Sequence, residues 1–325
     1  MRSGVFIPQG WRLDLVGIPR RQQWEVMHDV AVAAEIAGFE SVWVYDHFHT
    51  VPVATQEVTH EAWSLMGALA ASTNRIRLGQ MCTCNGYRPP SYLAKVAATI
   101  DVISKGRLEM GIGAGWFEEE FVAYGYEFPR PGVRIAQLEE GIEIMRRMWT
   151  EDEVHFDGKH YQLRGAICQP KPLQTPHVPL WVAGGGEQRT LRVVAKYADY
   201  ANFGEDLARF QQKSALLAKY CREIDRDFDG IVRSRNFNIL CEESESALAD
   251  RRAWLRDHYA QSMPEGQVER RVRLFDEFSG TPDQLVEKLR PWRAAGLSYL
   301  IAYFPDAAYD RAGLERFARE VVPAL

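Results

Sequence analysis

Short apolar runs rich in β-branched and aromatic residues alternate along the chain with longer segments that have helical spacing. The short runs predict strands at residues 4–8, 41–48, 76–84, 107–113, 179–186, 199–204, 234–241 and 298–304. The longer segments predict helices at residues 21–38, 60–73, 90–106, 134–150, 187–199, 206–224, 280–297 and 312–325. The chain is therefore expected to belong to the α/β class.

This alternation predicts parallel strands that are joined by helical crossovers. Eight such units in 325 residues fit one (β/α)8 TIM barrel better than two doubly wound domains. Residues 151–178 interrupt the pattern with an Asp-Gly turn and a proline-rich loop, which predict a hairpin and loop insertion. Residues 245–277 predict an extra helical region, and residues 1–325 are expected to form a single domain.

The composition narrows the class of protein. Hydrophobic residues make up 46% and charged residues 26% of the chain, as in ordinary globular enzymes. A net charge of -5 gives no reason to expect a nucleic-acid partner or an anionic membrane. No apolar run reaches the roughly 20 residues of a membrane span, and the N-terminus lacks the apolar core of a secretion signal. The five cysteines include no CxxC pair, so we expect neither disulfides nor a zinc site, and a cytoplasmic location.

The second strand ends in the unusual sequence Tyr45-Asp46-His47-Phe48-His49. In barrels the active site lies at the carboxyl ends of the strands, and histidine is suited to proton transfer near neutral pH. Asp46 and His47 are therefore candidates for cofactor contact or proton transfer. A structural Asp–His hydrogen bond that closes the loop explains the pair equally well. A metal bound by His47 and His49 on one strand face is disfavoured, because no third ligand follows.

The third strand ends in Met81-Cys82-Thr83-Cys84-Asn85. Two cysteines one residue apart suggest redox chemistry. Small residues on a buried strand explain them more simply, and that interpretation is preferred.

The fourth strand ends in three alternating glycines, Gly111, Gly113 and Gly115, followed by Trp116. The spacing G-x-G-x-G departs from the dinucleotide fingerprint G-x-G-x-x-G, and no second strand with an acidic end follows. Close approach of a flat ring to the backbone is the better explanation, since glycine removes the side chain there. Trp116 either stacks on the ligand or packs within the protein.

The fifth strand ends in Gly184-Gly185-Gly186, and Glu187-Gln188-Arg189-Thr190 opens the next helix. Bare amides and the positive end of the helix dipole favour an anion, so a phosphate site is predicted. Arg189 and Lys196 could add positive charge, and the alternative is a glycine-rich turn without a ligand.

Together these motifs resemble the luciferase-like monooxygenase superfamily, and most closely its coenzyme F420-dependent oxidoreductases. The matching segments are VWVYDHF, residues 76–120, FDGKHYQ, PLWVAGGGEQRTLRVVAKYAD and SGTPDQ, which spread over most of the chain. The resemblance implies a luciferase-like barrel that binds F420 or FMN at its mouth.

The resemblance also implies roles for individual positions. Asp46 and His47 match a pair near the deazaflavin ring, with His47 as the candidate proton donor or acceptor. A non-prolyl cis peptide is implied at Met81-Cys82, with Cys82-Thr83 as the second choice. Trp116 stands where some relatives have Glu, which puts a borrowed proton-donor role in doubt. The cofactor-binding set is expected to be Asp46, Met81, Cys82, Thr83, Asn85, Gly113, Gly115, Gly184, Gly185, Gly186 and Glu187.

Three functional hypotheses follow from the resemblance. The first is hydride transfer between C5 of F420 and a small organic substrate, contacted by residues 151–178, Trp11 and Trp116. The second is an FMNH₂-dependent monooxygenase that needs O₂ and a partner flavin reductase. The third is a flavin-binding barrel that has lost catalysis and acts in storage or regulation. Family members are commonly dimers, so a homodimer is expected.

Overall fold

The computed structural model describes all residues, 1–325. Its strands, in chain order, are β1 (Arg2–Phe6), β2 (Ser41–Val44), β3 (Arg77–Gln80), β4 (Thr83–Cys84), β5 (Leu108–Gly113), β6 (Val154–Asp157), β7 (Gln162–Ala166), β8 (Leu180–Ala183), β9 (Tyr200–Asn202), β10 (Val232–Asn238), β11 (Leu240–Cys241), β12 (Ser279–Gly280) and β13 (Tyr299–Tyr303). Its α-helices are α1 (Arg20–Ala37), α2 (Ala62–Ser72), α3 (Pro90–Ile103), α4 (Glu118–Ala123), α5 (Pro131–Thr150), α6 (Thr190–Tyr197), α7 (Leu207–Glu223), α8 (Glu245–Ala260), α9 (Glu265–Val272), α10 (Pro282–Ala294) and α11 (Ala312–Arg316). None of these helices combines the length and the apolar character needed to span a membrane.

The chain divides into two compact units, which are described separately. Unit 1 comprises residues 1–62 and 234–325, and unit 2 comprises residues 63–233.

Unit 1 is built on four parallel strands in the order β2-β1-β13-β10. All residues of β2 and β13 are buried, as expected of parallel strands that are covered on both faces. The helix α1 ends where Gly38 adopts a left-handed conformation with φ 92°, a geometry that glycine tolerates without steric cost.

Unit 2 has a parallel sheet in which β5 pairs with β3, β4 and β8, and β8 also pairs with β9. Every residue of β5 is buried. Asp206 caps α7 by accepting the amide of Arg209 at 2.8 Å, which satisfies one of the free donors at the helix start. These strands carry the glycine-rich segments at their carboxyl ends.

The two segments predicted as insertions both contain regular secondary structure. Strands β6 and β7 pair antiparallel within 151–178, and α8 and α9 fill most of 245–277. The Glu140 carboxylate of α5 accepts the amides of Lys159, His160 and Tyr161 at 2.9–3.1 Å, so it holds the tip of the hairpin.

Two predicted strands are shorter than the apolar pattern suggested. Strand β2 ends at Val44, so residues 45–49 form a loop, and His47 and His49 do not share a strand face as the disfavoured metal site would require. The predicted strand 76–84 is divided into β3 and β4, because the chain turns between Gln80 and Thr83. Both departures fall at carboxyl ends, where polar residues leave the sheet.

Candidate cofactor and active site

The turn between β3 and β4 contains a cis peptide at Met81-Cys82, a bond without proline. This confirms the first-choice position implied by the sequence resemblance. The Thr83 hydroxyl donates to Gln80 Oε1 at 2.8 Å, which ties one side of the turn to the other. The Nε2 group of Gln80 is buried and donates to no acceptor, so the turn retains an unused donor.

The glycines at the end of β5 are explained by the neighbouring strand segment. A Cβ on Gly111 would collide with the carbonyl oxygen of Gln80, and one on Gly113 would lie 2.7 Å from Cys82 Sγ. Gly115 has φ +81°, and its Cβ would lie 2.7 Å from Cys84 Sγ. A close approach to the backbone does require glycine at these positions, while the predicted approach of a flat ring stays a prediction. What approaches these glycines in the structure is the β3–β4 segment of the protein itself.

Asn85 follows β4 and is buried. Its Nδ2 group donates to the Tyr161 hydroxyl at 3.1 Å, and its Oδ1 atom points at Gly141 of α5. The side chain therefore joins the strand end to the hairpin and to α5. Its buried Oδ1 atom accepts no hydrogen bond within the chain, so Asn85 stays a predicted cofactor contact.

Trp116 lies on the loop after β5 and is 63% exposed. Its ring stacks on that of Phe117 at 5.1 Å. Glu119 and Glu120 lie on the following helix, α4. Glu120 is buried and accepts the Tyr87 hydroxyl at 2.9 Å, which commits its carboxylate to the interior of unit 2.

The triple glycine forms an exposed turn between β8 and α6. Gly184 has φ +124° and donates its amide to the Asn202 carbonyl at 2.9 Å. The amides of Gly185, Gly186 and Glu187 donate to no acceptor within the chain. A row of unused amides at a helix start has the chemistry that binds a phosphate.

A buried cation that the sequence interpretation missed lies against this turn. A Cβ on Gly185 would lie 2.6 Å from Lys213 Nζ, which pairs with Glu205 Oε1 at 2.7 Å. Of the two cations named from the sequence, Lys196 pairs with Glu139 at 3.0 Å, away from the turn. Arg189 is exposed and donates to the Gly132 carbonyl at 3.2 Å.

The position of Lys213 on α7 was a usable signal. Phe210, Ser214 and Leu217 are buried at helical spacing around it, so the lysine interrupts an apolar stripe. A charged residue in that position is rarely buried without a partner, and it should have been counted as a candidate.

A groove of about 820 Å³ opens beside the turn. Gly186 and Arg189 line one side, and Arg130, Lys159 and His160 contribute further basic groups. The groove extends the positive surroundings of the turn along α5 and the hairpin tip.

In unit 1, the loop after β2 is held by Gln9. The Gln9 side chain accepts the Tyr45 amide at 2.7 Å and donates to the carbonyls of Tyr45 and His60 at 2.7 and 2.6 Å. Because Gln9 is fully buried, these bonds fix the backbone that precedes Asp46 and His47.

His47 stacks face to face on Trp11, with ring centroids 4.1 Å apart and planes within 1°. Trp11 in turn contacts the Tyr45 ring at 4.3 Å. Asp46 is 2% exposed. The His47 imidazole is half-buried, and its stacking on Trp11 gives the ring a defined orientation.

Arg12 lies deeper in the same unit. Its guanidinium packs 3.8 Å over the Tyr303 ring and donates to Asn238 Oδ1 at 2.8 Å. Asp14 accepts the Gly10 amide at 2.6 Å and the Tyr303 hydroxyl at 3.1 Å. Burial raises the pKa of Asp14, and these hydrogen bonds act against the rise.

The structure contains no group of three or more His, Cys, Asp or Glu side chains that could hold a metal ion. All five cysteines are free thiols, and Cys82 is the one that is not buried.

Comparison with solved structures defines the fold. The chain superposes on an F420-dependent secondary alcohol dehydrogenase, in complex with an F420-acetone adduct, with a TM-score of 0.79, 22% identity, and coverage of 99% of this chain and 98% of that one. It superposes on a monooxygenase from Streptomyces bottropensis with a TM-score of 0.80, 20% identity and coverage of 99% of both chains. The predicted (β/α)8 TIM barrel is confirmed.

Sequence comparison then defines the family. The luciferase-like monooxygenase family model matches residues 1–299, so the chain belongs to that family. A curated relative is the F420-dependent glucose-6-phosphate dehydrogenase of Amycolatopsis mediterranei (strain U-32). It is 31% identical over 321 residues, which cover 91% of this chain and 93% of the relative.

Proposed function

We propose that the protein is an F420-dependent oxidoreductase that transfers a hydride between C5 of the deazaflavin and a small organic substrate. The structural observation that carries the proposal of a phosphate-bearing cofactor is the turn at Gly184–Gly186, where unused amides lie beside Lys213 and would hold the phosphate. The 31% identity to an F420-dependent dehydrogenase, over 91% of the chain, supports F420 as the cofactor.

In this proposal some residues position the cofactor ring and another transfers a proton. The deazaflavin supplies the hydride chemistry when it is bound. The β3–β4 turn at Met81-Cys82, with Thr83 and the glycines Gly113 and Gly115, would support the ring. Asp46 would help to hold the ring, and His47, whose plane is set by Trp11, would give or take a proton at the substrate.

An FMNH₂-dependent monooxygenase is the second candidate. One observation favours it, since a monooxygenase has the same fold with a TM-score of 0.80, and FMN also carries a phosphate that the turn could hold. This enzyme would consume O₂ and would need a flavin reductase as partner.

The two candidates are separated by an anaerobic assay. The purified protein is incubated with F420 and a panel of alcohols and sugar phosphates, and the absorbance of oxidised F420 is followed. F420 reduction without O₂ is the expected result. Turnover only with reduced FMN and O₂ would support the second candidate. Tight F420 binding without turnover on a broad panel would instead favour storage or regulation.

Further properties belong to the same proposal. Glucose 6-phosphate is the first substrate to test, because the Amycolatopsis relative is named for it. On family resemblance we also propose that Trp116 contacts the substrate and that the protein is a homodimer. A cytoplasmic location is proposed from the five free cysteines. The family model spans both units, which supports one functional domain.

A further inference from the structure

The loop after β1, residues 7–19, contains a strained residue. Leu13 has φ 64°, in the left-handed region that residues other than glycine rarely adopt. Such a conformation costs free energy and persists only where the surrounding structure holds it. Leu13 is 1% exposed, and its amide donates to the Gly10 carbonyl at 2.8 Å. The contacts of Leu13 therefore determine the conformation of this loop.

A second hydrogen bond to Leu13 comes from α8. His258 is 4% exposed, and its Nε2 atom lies 2.7 Å from the Leu13 carbonyl oxygen. Because a carbonyl oxygen only accepts, the hydrogen lies on Nε2 of the imidazole. Burial lowers the pKa of His258, so the ring is neutral near neutral pH and its Nδ1 atom carries no hydrogen. A neutral imidazole with one defined tautomer therefore donates to the strained residue.

Two aromatic side chains hold the His258 ring in place. The ring stacks on Trp254, with centroids 4.9 Å apart and planes 16° apart, and it packs edge-on against Tyr309 at 5.1 Å. The Tyr309 hydroxyl donates to the Val16 carbonyl of the same loop at 2.7 Å. The extra helical region, to which α8 belongs, is thus tied to the loop through a ring that is itself fixed.

The strained loop also carries Trp11, two residues before Leu13. The Trp11 ring stacks face to face on His47, with centroids 4.1 Å apart. The Trp11 carbonyl accepts the Val51 amide at 2.9 Å, which anchors the backbone on one side of the ring. The bond from His258 anchors it on the other side. Relaxation of φ at Leu13 would rotate the chain that carries Trp11.

We propose that His258 is a positioning residue for His47. By holding Leu13 in the left-handed conformation, it keeps the Trp11 ring where the His47 imidazole stacks on it. The proposal rests on the proposed function, in which His47 gives or takes a proton, and it assigns a role to α8. Misplacement of a reacting group by about 1 Å can cost roughly 100-fold in rate, so a side chain that acts through Trp11 can control kcat.

The test compares His258→Phe with His258→Gln. Phenylalanine keeps a ring against Trp254 but has no N–H, whereas the Nε2 group of glutamine can donate from a similar place. Trp149→Phe, in unit 2, is the matched control, because it also removes a buried ring N–H that donates to a backbone carbonyl, that of Ala94 at 3.0 Å. If His258→Phe does not fold, His258→Met, which is flexible and also lacks a donor, takes its place.

The first readout is the NMR spectrum of the histidine ring protons in the protein without cofactor. Stacking on an indole shifts the ring protons of His47 to high field, and their loss in His47→Gln assigns them among the eight histidines. His258→Phe should move these signals toward the position of an exposed histidine, whereas His258→Gln and Trp149→Phe should leave them in place. Unmoved signals in His258→Phe, or an equal movement in either of the other two variants, would overturn the proposal.

The second readout separates this proposal from the proposed function. With F420 and glucose 6-phosphate, or the alcohol that gives turnover, His258→Phe should lower kcat roughly tenfold or more, and His258→Gln should restore most of it. The Kd for F420 should be unchanged in both variants. Unchanged kcat in His258→Phe would count against the proposal as decisively as unmoved signals. If the His47 signals respond as expected but the wild-type protein does not bind F420, the proposed function fails and the positioning of His47 stands.

Discussion

Lys213→Met is the perturbation that probes the phosphate turn most directly. Lys213 is 6% exposed, and its ammonium lies beside Gly185, so a phosphate on the neighbouring amides would lie in its field. Its partner Glu205 has a side chain that is 64% exposed and stays hydrated when the lysine is removed. The substitution therefore leaves no buried unpaired charge, and methionine retains the apolar stem on α7.

The expected rise in the Kd for F420 follows from the loss of the proposed contact between Lys213 and the cofactor phosphate. A hydrogen bond to a charged group contributes about 1.5–3 kcal/mol. Since about 1.4 kcal/mol corresponds to a tenfold change in affinity, the Kd for F420 should rise roughly 10- to 100-fold. Pairing with Glu205 already neutralises part of the lysine charge, which favours the lower part of this range.

The assay is titration of the protein with F420, followed by the change in cofactor fluorescence. A deazaflavin without the phosphate serves as the control ligand, and Lys219→Met, on an exposed position of the same helix, serves as the control variant. Lys213→Met should lose affinity for F420 alone. Unchanged affinity for F420, or an equal loss for the phosphate-free deazaflavin, would refute the role of this turn.

Three further predictions concern the catalytic side chain, the strand glycines and pH. His47→Ala should lower kcat about 100-fold or more, because a general acid or base usually contributes that much. The Kd for F420 should be nearly unchanged. His155→Ala, an exposed control, should leave kcat intact. Gly111→Ala should lower the free energy of unfolding in urea by about 1–3 kcal/mol or more, because the added Cβ collides with a backbone carbonyl. Gly67→Ala in α2 is the control. Its added Cβ has no neighbour within contact distance, so it should be neutral or stabilising. Burial lowers the pKa of His258 from 6.5, so the unfolded chain binds the extra proton and stability should fall as the pH drops below that value. A melting temperature that stays constant from neutral to mildly acidic pH would contradict this, and His258→Asn should flatten the dependence.

The strand and helix pattern was predictable because each barrel strand is a short apolar run between turn signals. The ends of the strands were not predictable, because apolar residues continue beyond the last residue that is hydrogen-bonded in the sheet. Tyr45 is buried and lies outside β2, held by the Gln9 side chain, which is distant in sequence. The cis peptide at Met81-Cys82 was predicted through family resemblance, since no local propensity identifies such a bond.

The candidate site was predictable where its chemistry depends on the backbone. It was not predictable where it depends on side chains from different elements that meet only in the folded structure. The glycine turn at 184–186 is visible as a motif. The contact between Lys213 and Gly185 joins two elements and is visible only in the fold.

The central claim is that this barrel binds F420, and equilibrium binding of F420 and FMN to the same purified protein tests it most directly. Ultrafiltration with each cofactor separately, and then with both in competition, gives the two affinities. The account predicts tight binding of F420 that an excess of FMN does not displace. Tight FMN binding without F420 binding would contradict it.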